Sequence, residues 1–441
     1  MTTTATAVIL AAGFGTRMKS TLPKTLHPIA GRSMLRHLLA SCESVFDRIV
    51  VVVGPGMENV ATAAAPHASV IQHDRLGTAH AALQADALFG DGEVAVLYAD
   101  NPLITPDTLR RLLDRRGVGD VGLGLLAMRP ADPARYGRVL GTPDDVLGVV
   151  EFNDATPAER AIGLCNAGVL CGPAGEMARW LAAVRRDNAA GEFYLTDLVG
   201  LAREAGMRVA AVEAPAEELR GVNSRAELAE AEATVQHALR QAAMAGGVTM
   251  TAPETVFLCA DTAFGQDVTL GPNVVFGPGV SVASGVEIRA FSHLEGCTVR
   301  AGAIIGPFAR LRPGTDVGEG AHVGNFVELK ATLLGAGAKA NHLAYLGDAA
   351  IGPGSNNGAG TITCNYDGFG KHRTTIGADV FVGSNAILVA PVAIGDGAIV
   401  TAGSVITEDV PADAMAFGRA RQQHKPGRAA TFRAARRQEK I

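Results

Sequence analysis

From Leu270 onward, apolar residues recur at every sixth position. The first run is Leu270, Phe276, Val282, Ile288 and Leu294; after a one-residue slip come Val299, Ile305, Leu311, Val317, Val323 and Leu329; the rhythm resumes at Ile376, Val382, Leu388, Ile394, Val400 and Ile406. A period of six matches neither the 3.6 of a helix nor the 2 of a strand. It matches hexapeptide repeats, in which three hexads close one triangular coil of a parallel β-helix. One apolar residue per hexad points inward, and a small residue often follows it at the corner, as in Leu270-Gly271, Ile376-Gly377 and Ile394-Gly395. Stacking of each coil on the next then supplies the core. The abundance of Gly, 53 residues, is therefore patterned rather than scattered.

The rhythm fails between Gly352 and Thr375, where the chain reads SNNGAGTITCNYDGFGKHR from Ser355. The expectation is an insertion that leaves the coil as a loop, and such loops gather on one face, often the binding face. Nearby lies NHLAYLGD. His342 is the candidate general base, because an imidazole with a pKa of about 6.5 suits proton removal near neutrality. A lone His in a solenoid is otherwise an ordinary buried or surface side chain. Asn341, Tyr345, Asn365, Tyr366 and Lys371 around it favour chemistry, since so many polar residues interrupting a repeat need a reason.

The preceding part of the chain alternates short strands and helices up to about Val222. Strands are expected at Ala7–Leu10, Arg48–Val53, Val94–Tyr98, Gly122–Met128, Gly168–Cys171 and Arg208–Val212; helices at Ser33–Ser44, Gly77–Leu88, Pro106–Arg116, Gly175–Arg185 and Leu195–Ala205. This predicts an α/β domain with a largely parallel sheet, whose ligands sit at the carboxyl ends of the strands. At the first such end stands LAAGFGTRMKSTLPK, Leu10 to Lys24. Gly13 and Gly15 free the backbone to turn its N–H groups toward phosphate. Arg17 offers a fork of donors, and Lys24 a second positive charge. The string is neither a Walker A loop, lacking G-K-[ST], nor a dinucleotide fingerprint, lacking the third Gly.

Later strand ends carry weaker signals. Gln72 followed by Gly77 and Thr78 suits the edge and face of a flat base, or a plain helix start. Asp100 directly follows an apolar strand, where a bound Mg²⁺ or a turn would account for a carboxylate. Tyr136-Gly137-Arg138, Glu151 and Asn166 could reach sugar hydroxyls. After Asn223, Ser224 and Glu227 form a capping box, good helix formers follow, and Gly246-Gly247 supply the stop. The expectation is one helix of about twenty residues, about 30 Å long, between domains that need not touch.

Net charge of −5 over 441 residues disfavours nucleic acid or an anionic membrane as partner. No apolar run approaches the ~18 residues of a membrane span, and no basic region marks a signal peptide. Six scattered Cys without C-x-x-C suit a reducing cytosol.

G-x-G-T-R-M followed by P-K resembles the signature of the sugar-nucleotide pyrophosphorylases. Residues 6–223 resemble the uridylyltransferase domain, and residues 265–420 the acetyltransferase domain, of the bifunctional N-acetylglucosamine-1-phosphate uridylyltransferase/glucosamine-1-phosphate N-acetyltransferase family. FARLRPG, GAHVGNFVELK, NHLAYLGDA and GAGTITCNYDG carry the second match. The resemblance implies a Rossmann-like nucleotidyltransferase domain (1–223), a linker helix (224–247) and a left-handed β-helix with a basic tail (248–441). It implies that Leu10, Gly13, Gln72, Gly77, Thr78, Gly137, Glu151, Asn166 and Asn223 hold UTP and the sugar nucleotide, that Arg17 and Lys24 contact phosphates, and that Asp100 and Asn223 bind Mg²⁺. It implies that Arg312, Lys330, Tyr345, Asn356, Asn365 and Lys371 surround glucosamine 1-phosphate, with His342 as base and Glu328 orienting it, and that acetyl-CoA runs near Ala359, Ser384, Ala402 and Arg419. It further implies a cytoplasmic homotrimer that makes UDP-N-acetylglucosamine for peptidoglycan and lipopolysaccharide. A rival reading keeps the β-helix as a trimerisation scaffold only. Ala99 and Ala167 depart from the family's usual Gly and Thr, the coils between Thr249 and Val299 are shorter than expected, and the tail carries Arg421, Lys425, Arg428 and Arg433.

Overall fold

The computed structural model describes residues 4–439. It divides into two compact units between Leu239 and Arg240.

In the first unit, seven strands form the main sheet in the order 208–213, 121–128, 165–173, 93–98, 5–10, 48–53 and 68–71. All pairings are parallel except those of Cys165–Pro173, which runs antiparallel to both neighbours. Alternate residues of each central strand enter separate cores, one on each face: Ile9 and Val51 on one side, Val8 and Val50 on the other. That two-sided burial is why these strands read as unbroken apolar runs. Ser33 caps the Met34–Glu43 helix by accepting from Arg36 N at 3.3 Å, and Pro106 opens the Pro106–Arg116 helix. The predicted Gly77–Leu88 helix is two pieces, Thr78–Leu83 and a 3₁₀ turn at Asp86–Leu88. Sequence reading missed the edge strand Ala68–Ile71, which is mostly exposed and so lacks an apolar run, and the hairpin Arg138–Thr142/Asp145–Val150.

The Arg225–Ala245 helix is not a free spacer. Ser224 Oγ accepts from Glu227 N at 3.3 Å, and the Glu227 carboxylate takes Asn223 N at 2.6 Å. Ala231 is buried with Ile29, Met34 and Val222, and Glu232 accepts from Ala30 N at 2.7 Å. The helix therefore belongs to the first unit as far as Leu239.

The second unit is a three-faced parallel β-helix of the left-handed hexapeptide class, with ten, eight and eight strands on its faces. Its inward residues are those of the six-residue rhythm, Leu270, Ile288, Leu311 and Val382 among them, all buried. The expected loop is much shorter than its sequence suggests. Asn356–Asn357 and Ile362–Cys364 pair in register with the coils before and after them. Asn357 and Thr363 occupy inward positions normally filled by aliphatic residues. Thr363 Oγ1 accepts from Gly347 N at 2.8 Å and donates to Gly347 O at 3.1 Å, and Asn357 Nδ2 donates to Lys339 O at 3.2 Å. Hydrogen bonds thus replace apolar contact, and the rhythm disappears from the sequence while persisting in space. Only the segment from Asn365 to Arg373 leaves the coil. Its turn is held by Asp367, whose carboxylate accepts from Phe369 N, Gly370 N and His372 Nε2 at 2.7–2.8 Å.

Candidate active sites

In the first unit the carboxyl ends of the central strands open into a cavity of about 540 Å³. Leu10, Gly13, Lys24, Gln72, Gly77, Thr78, Asp100, Gly137, Glu151, Asn166 and Asn223 all line it. Arg17 does not; it is exposed on the 3₁₀ turn Thr16–Met18.

At one end, Lys24 Nζ pairs closely with Asp100 and donates to Asn223 Oδ1 at 2.9 Å. Three segments far apart in the chain meet here. Val222 N donates to Asp100 O at 2.8 Å, so the strand end at Asp100 and the helix cap at Asn223 are tied together. Gly15, at φ +65°, has to be Gly, because a Cβ would overlap that of Lys24. At the other end, Gln72 is buried and its amide donates to Gly77 O at 3.1 Å. Gly77, at φ +125°, lies against the backbone of Phe193. That contact brings in Glu192 and Tyr194, cavity residues that carry no motif.

Elsewhere in the lining, Glu151 accepts from Thr196 Oγ1 at 3.1 Å, and burial pushes its carboxyl above the usual range. Asn166 Oδ1 accepts from Gly168 N at 3.1 Å. Ala99 is buried in the core and does not line the cavity, so its methyl does not crowd a ligand there; Ala167 does line it. Arg75 and Tyr98 also face the cavity and were passed over in the sequence, since nothing in their spacing sets them apart.

In the second unit the expected residues fall into two groups. On one face, Arg312, Lys330, Tyr345 and Asn365 come from adjacent coils. Asp348 links them: its carboxylate accepts from Asn365 Nδ2 at 2.5 Å and from Lys330 Nζ at 3.4 Å. Lys371, from the projecting turn, approaches Lys330, and the neighbouring ammonium lowers the Lys371 amine below its ordinary pKa. Gly347 leaves room for this cluster, since a Cβ would come within 2.5 Å of Tyr345 OH and 2.7 Å of Asn365 Nδ2.

The second group is a column at one corner. Register pairs Asn325 with His342, Ala340 with Asn357, Asn357 with Val382, and Val382 with Val400. Extending each pairing by two residues stacks His342, Ala359, Ser384 and Ala402 at equivalent positions of successive coils. His342 is exposed, and its Nδ1 lies 2.6 Å from Asn325 Oδ1. The expected orienting residue, Glu328, is elsewhere. It pairs with Arg312 at 2.8 Å and Arg310 at 3.5 Å, because its strand belongs to the next face. Asn356 also departs from its expected group, lying beside Lys339 on the preceding face. Arg419 is exposed after the last coil.

No helix among the described residues is long and apolar enough to cross a membrane, and no group of three or more His, Cys, Asp or Glu among them could hold a metal ion. Residues 7–143 match the family model of the MobA-like NTP transferase domain, and residues 373–408 that of the hexapeptide repeat of succinyl-transferase. The "Bifunctional protein GlmU" of Gluconacetobacter diazotrophicus is 69% identical over 99% of this chain and 95% of its own length. That of Acidiphilium cryptum is 66% identical over 97% and 98%, and that of Paramagnetospirillum magneticum 54% identical over 97% and 96%. With both units matched at this identity over nearly the whole length, the chain belongs to the family of bifunctional GlmU proteins.

Proposed function

We propose that the chain carries out the two reactions of its family with one unit each, and that the residues gathered above are the groups that do so. The β-helix acetylates glucosamine 1-phosphate with acetyl-CoA. The α/β unit then transfers UMP from UTP to N-acetylglucosamine 1-phosphate and releases pyrophosphate, giving UDP-N-acetylglucosamine for cell-wall synthesis. The observation that carries the reading is the meeting of Lys24, Asp100 and Asn223 opposite Gln72 and Gly77 in one cavity.

In the cavity of the α/β unit, Gln72 and Gly77 take the base, and Glu151, Asn166 and Gly137 take the sugar. Lys24 neutralises phosphate oxygens as the sugar phosphate oxygen attacks the α-phosphorus in line with the departing pyrophosphate. The residues fit Mg²⁺. Asp100 and Asn223 offer one carboxylate and one amide oxygen, a set that suits an ion completed by substrate phosphates and water. Lys24 bridges both oxygens and can turn to a phosphate. Bound there, Mg²⁺ supplies charge stabilisation on the phosphates.

In the β-helix, Lys330, Lys371 and Arg312 offer cationic charge for the sugar phosphate. An amine attacks a thioester only through its free lone pair, so the substrate ammonium must lose a proton. His342, held at Nδ1 by Asn325, takes it at Nε2; the amine nitrogen bonds to the acetyl carbon, and the coenzyme A thiolate leaves. The column of small residues Ala359, Ser384 and Ala402 gives the extended coenzyme a path that ends at His342. Placement of His342 and Asn356 off the face of the Lys330 cluster supports a site completed by a neighbouring chain, hence a trimer. Free thiols at Cys42, Cys165, Cys171, Cys297 and Cys364 are in keeping with a cytoplasmic enzyme.

A coupled assay with glucosamine 1-phosphate, acetyl-CoA, UTP and Mg²⁺ tests the whole reading. UDP-N-acetylglucosamine should form only when all four are present. Product from N-acetylglucosamine 1-phosphate and UTP, but none from glucosamine 1-phosphate with acetyl-CoA and UTP, would favour the scaffold reading of the β-helix. Mixed trimers of His342→Ala and Asn365→Ala chains should regain acetyl transfer if the two residues act across chains.

A further inference from the structure

We infer that Arg75 is a further nucleotide-binding residue, a clamp that fixes the glycine loop and presents a guanidinium to the bound triphosphate. The inference rests on the nucleotide reading of this cavity.

Arg75 lies in the segment between Gln72 and Gly77 and lines the same cavity as Gly13 and Lys24. Its Nε donates to Ala12 O at 2.7 Å, the carbonyl just before Gly13. Its Cζ sits 3.6 Å from the centroid of the Phe14 ring, so the residue after Gly13 is held too. One side chain from the base end of the cavity thus grips the loop from both sides of Gly13. Gly54 makes the seat. A Cβ there would overlap Arg75 Nη2 and come within 3.0 Å of Cζ.

A guanidinium has five N–H donors, and the bond to Ala12 O uses one. Its plane is fixed by Phe14 on one face and by Gly54 behind. In a cavity that Lys24 lines and Arg17 does not, Arg75 supplies the flat, delocalised cation suited to phosphate oxygens. It therefore takes the part that the sequence motif alone would give to Arg17. Because the clamp acts on ligand and loop in the ground state, its loss should appear in KM for UTP more than in kcat.

The test uses the full-length chain, with acetyl transfer in the same preparation as the control for folding. Arg75→Met should raise KM for UTP about tenfold with kcat little changed. Arg75→Lys should not restore it, because a point charge replaces the fork. Gly54→Ala should raise KM as well, by displacing Arg75 with its charge intact, and the double variant should be no worse than Arg75→Met alone. An unchanged KM for UTP in Arg75→Met with normal acetyl transfer overturns the inference, and so do Gly54 and Arg75 effects that simply multiply. Lys24→Ala separates the two levels. If it abolishes uridylyl transfer while Arg75→Met has no effect, only the clamp is wrong; if neither affects UTP use, the cavity is not the nucleotide site.

Discussion

The two units solve the problem of gathering functional groups in opposite ways. In the α/β unit, strands of very different sequence position end side by side, and several of the loops at that edge line one hollow. Lys24, Asp100 and Asn223 meet there within hydrogen-bonding reach although the last two are separated by more than half the unit. In the β-helix, each coil repeats the last, so equivalent positions line up along the axis. The candidate side chains then form columns and faces, such as His342, Ala359, Ser384 and Ala402 at one corner and Arg312, Lys330 and Tyr345 on the next face. A sheet with crossovers converges on a pocket in a single chain. A solenoid displays a surface, and enclosure has to come from the projecting Asn365–Arg373 turn or from another chain.

Substitutions sharpen this contrast, beginning with the largest effect. Asp100→Ala should cut uridylyl transfer by about 10³-fold or more, since it removes the carboxylate that would hold Mg²⁺ where negative charge develops on phosphate. EDTA should do the same, and acetyl transfer in either sample should be untouched; equal loss of both activities would break the separation of the units. Next, His342→Ala should lower acetyl transfer by about 10²–10⁴-fold with uridylyl transfer intact. The deficit should narrow as pH rises, because more substrate amine is then already neutral. A rate ratio that stays flat across pH would remove His342 from the proton transfer.

Gly347→Ala probes whether the β-helix face is as closely fitted as the pocket. The added methyl meets Tyr345 OH and Asn365 Nδ2, so KM for glucosamine 1-phosphate should rise about tenfold while the coil remains folded. An unchanged KM would mean that this face tolerates displacement and does not hold substrate. The smallest effect belongs to the pocket. Burial raises the Glu151 carboxyl above its ordinary value, so the folded state favours its neutral form. Stability from that preference is present below the ordinary carboxyl range and is lost as pH rises through the raised value. Glu151→Gln, which keeps the acceptor for Thr196, should therefore melt about 2–4 °C higher than the parent at neutral pH, and the gap should close in acid. A gap that widens in acid would reverse the assigned sign.

Much of this was legible in the residues themselves. The six-residue period fixes the β-helix because each coil obeys the same local rule, and a local rule is what a linear sequence can record. Apolar runs bounded by Gly and Pro placed the central strands for the same reason: burial on both faces leaves a signature within each strand. Motif residues from Gly13 to Asn223 could be assigned to one cavity because strand ends in an α/β sheet share one edge.

The rest depended on contacts between segments, which no local rule records. Asn357 and Thr363 keep the coil through hydrogen bonds to the preceding coil, so the apolar repeat stops in sequence where the coil only changes chemistry. Glu328 and Asn325 are three residues apart and both precede His342, yet a corner puts them on different faces and gives His342 to Asn325. Ala231 and Glu232 turn an apparent linker into a wall of the first unit. Arg75 carries no motif; only the carbonyl of Ala12, the ring of Phe14 and the space left by Gly54 make it part of the site. Sequence determined the period, and with it which aliphatic residues are inside. Tertiary structure decided which outward residues are neighbours, because that depends on register and corners, set by the packing of segments far apart in the chain.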